Sequence, residues 1–368
     1  MQARVLQEDF LKGLTHVSRF VSTRAQLPIL SNILIASENN GIKLASTNLE
    51  LGLVVRVPAK IEEQGSITVP ARTINEIVAN FPAGQIDLKT EGEHLLLNNV
   101  NSKVSLSGML PSEFPNVPDS LEKTDFTLSP EKLLSIRNQV VFAAAEDDTR
   151  PVLTGILFDF KQEELQTAAT DGFRLSSKLF KQKSQGEDKR ILVSARLIDD
   201  LCRLLGDSKE NVSVAILEKT KQILFSAQNF VLTGRILEGE FPDFERIIPS
   251  SYKHKAITSK EELLRGVRTV GVLARESSNI IKLKIEKGRI VLVSESQAYG
   301  NEEVTVEAKT EGGEVEIAFN YKFLQDFLNS VSYEEVSLET ENATAPAVFK
   351  TSQDKEFFHL IMPIRLQT

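Results

Sequence analysis

Few side chains in this sequence could take part in a reaction, and they are not spaced as a reaction would need. Cys202, the single cysteine, falls on the apolar face of a predicted helix, where a thiol is typically inert. Asp171 belongs to a predicted turn, and the acidic run at 146–148 is typical of a solvated loop. There is neither a Walker loop nor a GxGxxG fingerprint. The histidines, which lack the spacing of metal ligands, are His16, His94, His254 and His359. The sequence therefore predicts a protein that is not an enzyme and that uses no cofactor and no metal.

Basic side chains, by contrast, recur on predicted helices opposite the apolar face. The apolar faces of two such helices are formed by Phe10, Leu14, Val17 and Val21, and by Leu263, Val267, Val270 and Ala274. The basic residues opposite them are Lys12, His16 and Arg19, and Arg265, Arg268 and Arg275; Arg72, Arg196 and Lys322 begin three further helices. Such stripes indicate either solvated helix faces or a surface that contacts phosphate groups.

The net charge of −8 argues against a surface that is basic all over, but it allows a local basic surface. The six predicted helical windows together hold 13 Lys and Arg against 10 Asp and Glu, so the helices are more basic than the rest. These windows are 7–25, 71–81, 130–145, 195–206, 260–276 and 320–330. The contrast favours a weakly positive helical surface.

The chain ends with FHLIMPIRLQT, a mostly apolar run with one proline and one arginine. Chain ends usually fray into water unless something holds them, so an apolar end indicates an ordered segment. Two interpretations remain open. The run either completes a sheet or forms part of a binding surface.

The elements that position these residues recur three times along the chain. ITVPARTINEIVANF (67–81), ILVSARLIDDLCRLL (191–205) and VEIAFNYKFLQDFLNSV (315–331) each pass from alternating apolar residues to helical spacing, at offsets of 124 and 126 residues. SPEKLL (129–134) and SKEELL (259–264) open further helices, with Ser259 and Glu262 as a capping box. We therefore predict three tandem α+β domains, each with two helices and antiparallel sheets. Their predicted bounds are 1–122, 123–251 and 252–368.

Four motifs stand out in these three tandem domains: LPILSNILI (27–35), ATDGFRLS (169–176), GEFPDFERIIP (239–249) and MPIRL (362–366). With the repeated domain plan, they make the chain resemble the beta subunit of bacterial DNA polymerase III, the sliding clamp. The resemblance covers the whole chain.

The resemblance implies a processivity factor with no enzymatic activity. In this family two subunits close head to tail into a ring around double-stranded DNA, which the helices face without reading its sequence. The residues that the resemblance places at the DNA are Arg24, Lys12, Arg19, Arg72, Arg196, Arg265, Arg268 and Lys322. Those that it places at the dimer interface are Val104, Leu106, Val272 and Leu273. The alternative for the last four is the core of their own domains.

The resemblance also implies an apolar pocket between the second and third domains that binds short linear motifs of client proteins. The matching residues are Leu153, Thr170, Gly172, Phe173, Arg174, Leu175, Pro242, Arg246, Ile247, Met362, Pro363, Ile364, Arg365 and Leu366. We expect the prolines to form rigid walls, Gly172 to adopt positive φ and the arginines to form a polar rim. The family often has histidine where Phe173 stands, and Gln367 and Thr368 extend past the usual end. These departures predict a more apolar and partly covered pocket.

The partners expected from the resemblance are a second copy of the chain, DNA, the polymerase III catalytic subunit, an ATP-driven clamp loader, and other polymerases and repair proteins. No apolar run approaches the ~20 residues of a membrane helix, and residues 1–25 lack the core of a signal peptide. We therefore expect a cytoplasmic, nucleoid-associated protein without a membrane partner. The competing hypothesis is a peptide-binding scaffold protein that does not encircle DNA.

Overall fold

The computed structural model describes residues 1–22, 27–182 and 188–365, and this part of the chain contains three repeats of one order of elements. Each repeat has a strand, a helix, four strands, a second helix and three strands. Neighbouring strands pair antiparallel throughout. The prediction of three tandem α+β repeats with two helices each is confirmed for the described residues. The predicted domain bounds stay a prediction.

The helices of the three repeats are α1 (Gln7–Val17) and α2 (Ala71–Ala79), α3 (Pro130–Gln139) and α4 (Ala195–Leu205), and α5 (Lys260–Ala274) and α6 (Tyr321–Ser330). The strands of the first repeat are β1 (Gln2–Leu6), β2 (Asn32–Glu38), β3 (Gly41–Thr47), β4 (Leu51–Glu63), β5 (Ser66–Pro70), β6 (Gln85–Glu91), β7 (His94–Asn99) and β8 (Ser102–Ser107). Those of the second are β9 (Phe126–Leu128), β10 (Gly155–Phe160), β11 (Glu164–Thr170), β12 (Arg174–Lys181), β13 (Lys189–Ser194), β14 (Val212–Leu217), β15 (Gln222–Ala227) and β16 (Phe230–Arg235). Those of the third are β17 (His254–Ser259), β18 (Ile280–Glu286), β19 (Arg289–Ser296), β20 (Gly300–Glu311), β21 (Val315–Asn320), β22 (Glu335–Thr340), β23 (Ala347–Thr351) and β24 (Asp354–Ile361).

The chain divides into two compact units. Unit 1 comprises Met1–Pro130 and Asp200–Ile236, and unit 2 comprises Glu131–Asp199 and Leu237–Thr368. Each unit contains a twelve-stranded sheet. The sheet of unit 1 runs β8-β7-β6-β1-β4-β16-β15-β14-β9, and a branch runs from β4 through β3 and β2 to β5. The sheet of unit 2 runs β13-β10-β11-β12-β24-β23-β22-β17-β20-β19-β18-β21.

One kind of strand pairing joins successive repeats, and we call it the repeat joint. In unit 1, β4 of the first repeat pairs with β16, the last strand of the second. In unit 2, β12 of the second repeat pairs with β24, the last strand of the third. In both joints the fourth strand of one repeat therefore pairs with the eighth strand of the next.

The predicted apolar helix faces are buried, because the helices pack on the sheets through these faces. Phe10, Leu14 and Val17 of α1 are fully buried, and the apolar face of α5 forms the core of the third repeat. Ser259 accepts a hydrogen bond from the Glu262 backbone N–H, so the predicted N-cap of α5 is confirmed.

Two predicted helices, α1 and α3, end more than one helical turn before their windows do. α1 ends at Val17 and a 3₁₀ turn follows at Ser18–Phe20, so the prediction that Val21 belongs to the helix is wrong. The Ser18 hydroxyl donates to the Leu14 carbonyl at 2.7 Å, a local bond that competes with the regular helix. α3 ends before the β-branched pair Val140–Val141, where side-chain crowding disfavours a further turn.

Candidate peptide-binding pocket and nucleic-acid interface

The turn between β11 and β12 is held by its own side chains. The Asp171 carboxylate accepts backbone hydrogen bonds from Phe173 and Arg174 at 2.9 and 3.0 Å. The Thr170 hydroxyl donates to the Arg174 carbonyl and accepts from the Gly172 N–H. Asp171 therefore has a structural role in a rigid turn. Phe173 stands at the tip with 61% of its surface exposed.

Gly172 has φ of +93°, as predicted, a conformation that glycine adopts without strain. The space beside it is not empty, because a Cβ at this position would lie 3.2 Å from the Arg150 guanidinium. Arg150 also donates to the Asp171 carbonyl. Arg150 thus supports the turn from outside. The sequence prediction missed it, although it precedes Pro151 as Leu27 precedes Pro28 in the first repeat.

Arg174 does not belong to a polar rim, and that part of the prediction is wrong. Its side chain is 8% exposed and forms ion pairs with Asp171 at 2.9 Å and Asp326 at 2.6 Å. The guanidinium also stacks between the rings of Phe142 and Phe323. The buried guanidinium is held by these ion pairs and rings, so Arg174 positions the turn against the third repeat.

The tail continues the β12–β24 pairing and then crosses to another strand. The Met362 N–H donates to the Phe173 carbonyl at 2.9 Å, and the Ile364 N–H donates to the Ala318 carbonyl at 2.8 Å. Met362 is 38% exposed, Pro363 and Ile364 are partly buried, and Arg365 is exposed. Leu366, Gln367 and Thr368 lie outside the described residues. The apolar run therefore both completes a sheet and leaves Met362 beside Phe173.

Beneath these exposed residues lies one apolar cluster, which we call the pocket floor. Its residues come from several strands that include β11, β12 and β24, and from the GEFPDF segment. Phe241 and Phe244 of that segment pack edge to face, with 6.0 Å between ring centroids. Leu153 and Leu175 are both buried, and Leu175 is part of the floor. The floor consists of Leu157, Ala168, Leu175, Leu192, Phe241, Phe244, Val348 and Leu360.

The remaining predicted pocket residues form the exposed edge next to Phe244. Pro242, Arg246 and Ile247 are exposed, and Arg246 forms an ion pair with Asp243 at 2.7 Å. Arg246 and Arg365 are thus the arginines of the prediction that solvent and a ligand can reach. Phe173, Ile247 and Met362 are three of the large apolar side chains that unit 2 exposes, and all three are among the predicted pocket residues. Exposed apolar groups over a rigid floor suit a short apolar peptide.

The predicted DNA-facing residues of unit 1 lie on its helices and are accessible. Lys12 of α1 and Arg19 of the turn after it are exposed, and neither forms an ion pair with a described residue. His16 between them is half-buried, and burial together with the charges of Lys12 and Arg19 lowers the pKa of its imidazole. Arg72, at the start of α2, is exposed and pairs with Glu76 at 2.8 Å. Arg24 lies outside the described residues.

The corresponding residues of unit 2 are exposed as well. Arg265 and Arg268 lie on the outer face of α5, and Lys322 begins α6, which packs beside α5. Arg196 is exposed near the start of α4. The structure thus brings Arg265, Arg268 and Lys322 onto one helical layer.

The four predicted interface residues lie on surfaces that their own unit leaves incompletely covered. Val104 and Leu106 are half-buried on one face of β8, an edge strand of unit 1. Val272 of α5 is 60% exposed and Leu273 is half-buried. Val272 and Leu273 line a groove of about 920 Å³ between α5 and the start of β20, together with Arg268 and Glu302. Because its side chain is exposed in this groove, Val272 is not a core residue of its own domain.

No group of three or more His, Cys, Asp or Glu side chains among the described residues could hold a metal ion. Cys202 is buried. The described helices include none that is long and apolar enough to cross a membrane.

Known proteins match the chain along its length. The family models for the N-terminal, central and C-terminal domains of the DNA polymerase III beta subunit match residues 1–118, 127–243 and 245–365. The beta sliding clamp of Staphylococcus epidermidis is 28% identical over 376 residues, with 99% of each chain covered.

Solved structures with the same fold carry the same description. The DNA polymerase sliding clamp of Bacillus subtilis is 26% identical with a TM-score of 0.95, covering 100% of both chains. A sliding clamp of Pseudomonas aeruginosa, solved bound to griselimycin, is 28% identical with a TM-score of 0.93, also covering 100% of both chains. The chain therefore belongs to the DNA polymerase III beta-subunit family, the beta sliding clamps, which are processivity factors of DNA replication and not enzymes.

Proposed function

We propose that two copies of this chain close head to tail into a ring around double-stranded DNA and tether the replicative polymerase to it. The observation that carries the proposal is the repeat joint. Three repeats supply three fourth strands and three eighth strands, and two of each pair within the chain as repeat joints. The remaining fourth strand and the remaining eighth strand are free to form a third joint.

The third joint would pair β20 with β8. β4, β12 and β20 are the fourth strands of their repeats, and β8, β16 and β24 are the eighth. β4 pairs with β16 and β12 pairs with β24. Residues 300–307 of β20 pair with β19 on one side only, and β8 pairs with β7 on one side only, among the described residues. Pairing β20 with β8 of a second copy at both ends closes a ring and leaves neither edge open.

The two existing joints also predict the register of the third. One backbone hydrogen bond recurs after the eighth strand of each repeat. Its N–H donors are Met109, Leu237 and Ile364, and its carbonyl acceptors are Thr68, Leu192 and Ala318, at 2.9, 3.0 and 2.8 Å. The three donor residues therefore occupy equivalent positions in their repeats. Counting back three residues from each gives Leu106, Gly234 and Ile361. Gly234 pairs with Leu51 and Ile361 pairs with Arg174. Gly300, the first residue of β20, should therefore pair with Leu106 of the partner subunit.

This register agrees with the chemistry of both strands. Val104 of the partner subunit falls opposite Glu302, on the side of the groove that Val272 and Leu273 line. Three residues beyond Gly300, Glu303 falls opposite Lys103 of the partner subunit, and both side chains are exposed. Opposite charges in directly opposed positions stabilise an antiparallel pair, whereas like charges destabilise it.

The helical cations supply weak contacts to phosphate. Contacts of this kind carry no sequence information and can be exchanged along the duplex. We infer that Lys12, Arg19, Arg72, Arg196, Arg265, Arg268 and Lys322 face the DNA. Retention then depends on the closed ring, since no base is gripped.

The pocket above the floor in unit 2 binds the client proteins of the ring. Phe173, Ile247 and Met362 would contact apolar side chains of a short linear motif, and Arg246 and Arg365 its carbonyl or acidic groups. Clients of this kind include the polymerase III catalytic subunit, an ATP-driven clamp loader, other DNA polymerases and repair proteins. Micromolar affinity, roughly −8 kcal/mol, would let them exchange. This role places the protein in the cytoplasm, at the nucleoid.

The test is retention on circular against linear DNA. Protein loaded onto a nicked circle should survive a high-salt wash that abolishes phosphate contacts, whereas cutting the circle should release it. Equal loss before and after cutting would contradict topological retention. A peptide-binding scaffold protein that does not encircle DNA gives that result and also shows no annular particle in electron micrographs.

A further inference from the structure

Unit 1 contains a cavity beside the basic residues of α1 that the proposed ring does not account for. Its volume is about 250 Å³, and it lies between α1, β4 and the hairpin that joins β15 to β16. Lys12 and His16 line it from the helix, and the Gln228 and Asn229 amides from the hairpin. The remaining walls are formed by Asp9, Gly13, Val55, Val57, Pro58, Leu204 and Phe230.

The charge at one end of this cavity is uncompensated. Lys12 and His16 are one helical turn apart, and Arg19 follows within another turn. None of the three forms an ion pair with a described residue. Asp9 is seven residues before His16, which separates them by about 10 Å along a helix axis. Bringing cations together around a half-buried imidazole costs free energy, which an anion in the cavity would recover.

Apart from Asp9, the residues that line the cavity offer His16 no carboxylate. Val55 and Val57 of β4, Leu204 of α4 and the hairpin residues that line the cavity are uncharged. Arg56 of β4 binds Glu38 and the Asp119 carbonyl instead. Asp9 is one helical turn from Lys12, but no carboxylate of the described residues forms an ion pair with Lys12 or His16. An anion from outside unit 1 can therefore neutralise both.

We propose that this cavity binds one phosphate group of the DNA backbone through the Lys12 ammonium and the His16 imidazole. The inference rests on the proposed function, because it needs the helices to face DNA. It adds a fixed phosphate position to a surface that otherwise offers exchangeable contacts. The Gln228 amide donates to Ser208 and the Asn229 amide donates to the Arg56 carbonyl. Each amide nitrogen carries a second N–H that can donate to the same phosphate oxygens.

A bound phosphate would change the protonation of His16. In the free protein, burial and two neighbouring cations lower the pKa of this imidazole. An anion in contact raises it, by about one to three units for a partner within hydrogen-bond distance. Duplex binding then takes up a proton between the two pKa values, so affinity rises as the pH falls through that window, by at most about tenfold per pH unit. Above both values the affinity no longer depends on this group.

The experiment is a histidine NMR titration of the full chain with and without a duplex of about 20 base pairs, at fixed ionic strength. The pKa of His16 should rise on binding, while the ring resonances of His94, which lies outside the cavity, should stay unchanged by the duplex. The His16→Gln variant should keep its affinity at high pH and lose the increase at low pH. Lys12→Gln should bind more weakly at every pH, and Lys60→Gln, an exposed lysine of β4, should not.

The outcomes separate this inference from the proposed function. If the duplex binds and the pKa of His16 does not move, the phosphate position is wrong and the ring stands. If no duplex binds at any pH, the DNA-facing assignment fails, and this inference fails with it.

Discussion

At the residue scale, the candidate pocket separates side chains that hold the site from side chains that meet a ligand. Arg174 and Phe173 are adjacent, yet Arg174 is locked between two carboxylates and two aromatic rings while Phe173 projects into solvent. The backbone of the turn produces this difference, because consecutive residues of a strand point to opposite faces. The motif ATDGFR shows both residues but not which of them is buried.

We expect Phe173→Ser to weaken binding of a fluorescent peptide that carries a short apolar linear motif. An exposed ring that becomes covered by a ligand contributes about 1 to 2 kcal/mol, so the Kd should rise about 5- to 30-fold. Fluorescence anisotropy measures the change. Leu134→Ser, an exposed apolar side chain of α3, is the matched control and should leave the Kd unaltered. Equal affinities of all three proteins would remove Phe173 from the pocket.

The resemblance supplied the predicted residues of this site but not the residues that position them. Asp326 and Phe323 of α6 fix Arg174 although they are some 150 residues away in the chain. No local sequence pattern identifies such partners. Asp326 and Phe323 would have the same spacing on the helix even if no arginine contacted them. Arg150 could have been found, since it occupies in the second repeat the place that Leu27 occupies in the first.

At the element scale, β12 carries a row of buried polar side chains on one face. Arg174, Ser176 and Lys178 alternate along the strand, and they contact Asp326, His359 and Asp354 of the third repeat. Asp354 also accepts from Gln139 and Tyr333 at 3.1 and 2.9 Å, and Lys178 and its hydrogen bonds hold the pKa of its carboxyl below the usual value against the effect of burial. This row fixes the register of the repeat joint, because a slip by one residue would leave every member unpaired.

His359 makes the joint sensitive to acid. It is fully buried against aromatic rings that include Phe327 and Phe142, and its Nδ1 contacts the Ser176 hydroxyl at 2.7 Å. Burial first, and then the charge of Arg174, lowers its pKa well below the usual value. The unfolded chain therefore binds a proton below about pH 6.5 that the folded chain does not. As the pH decreases through this range, the free energy of unfolding decreases by at most about 1.4 kcal/mol per pH unit.

We expect His359→Gln to reduce this slope. Chemical denaturation at several values between about pH 5 and pH 7 measures it, as the change in free energy of unfolding per pH unit. His16→Gln is the comparison, because His16 is only half-buried and should contribute less. An unchanged slope in the His359 variant would show that this imidazole does not control the acid sensitivity.

The extents of the helices show where a sequence pattern stops being informative. The apolar faces of α1 and α5 are as predicted because burial follows the 3.6-residue period. Their ends depend on single contacts, such as the Ser18 bond to Leu14, which periodicity does not contain. Repeat number and element order were predictable because three copies confirm one another.

At the scale of the whole molecule, the division into units does not follow the repeats. The second repeat contributes β9 and β14 to β16 to unit 1, and β10 to β13 to unit 2. The periodicity of the sequence identifies the repeats. The compact units depend instead on which sheet each strand joins. The sequence therefore predicts the repeats but not this division.

We expect the ring to depend on the charges of its third joint. Lys103→Glu or Glu303→Lys alone should weaken the dimer, because like charges would then oppose each other across the joint. The double variant restores opposite charges and should recover the dimer. Sedimentation velocity over a concentration series gives the association constants. Lys60→Glu, a charge reversal outside β8, is the control, and failure of the double variant to recover would contradict the register.

The two unpaired edges differ in charge, and this difference has a consequence for assembly in the cell. Glu302, Glu303 and Glu307 lie along the open stretch of β20, while β8 carries Lys103. Mispairing of two identical edges would set carboxylate against carboxylate or ammonium against ammonium. Newly made chains are thereby kept from sticking together edge to edge, and only the orientation that gives a closed circle remains favourable.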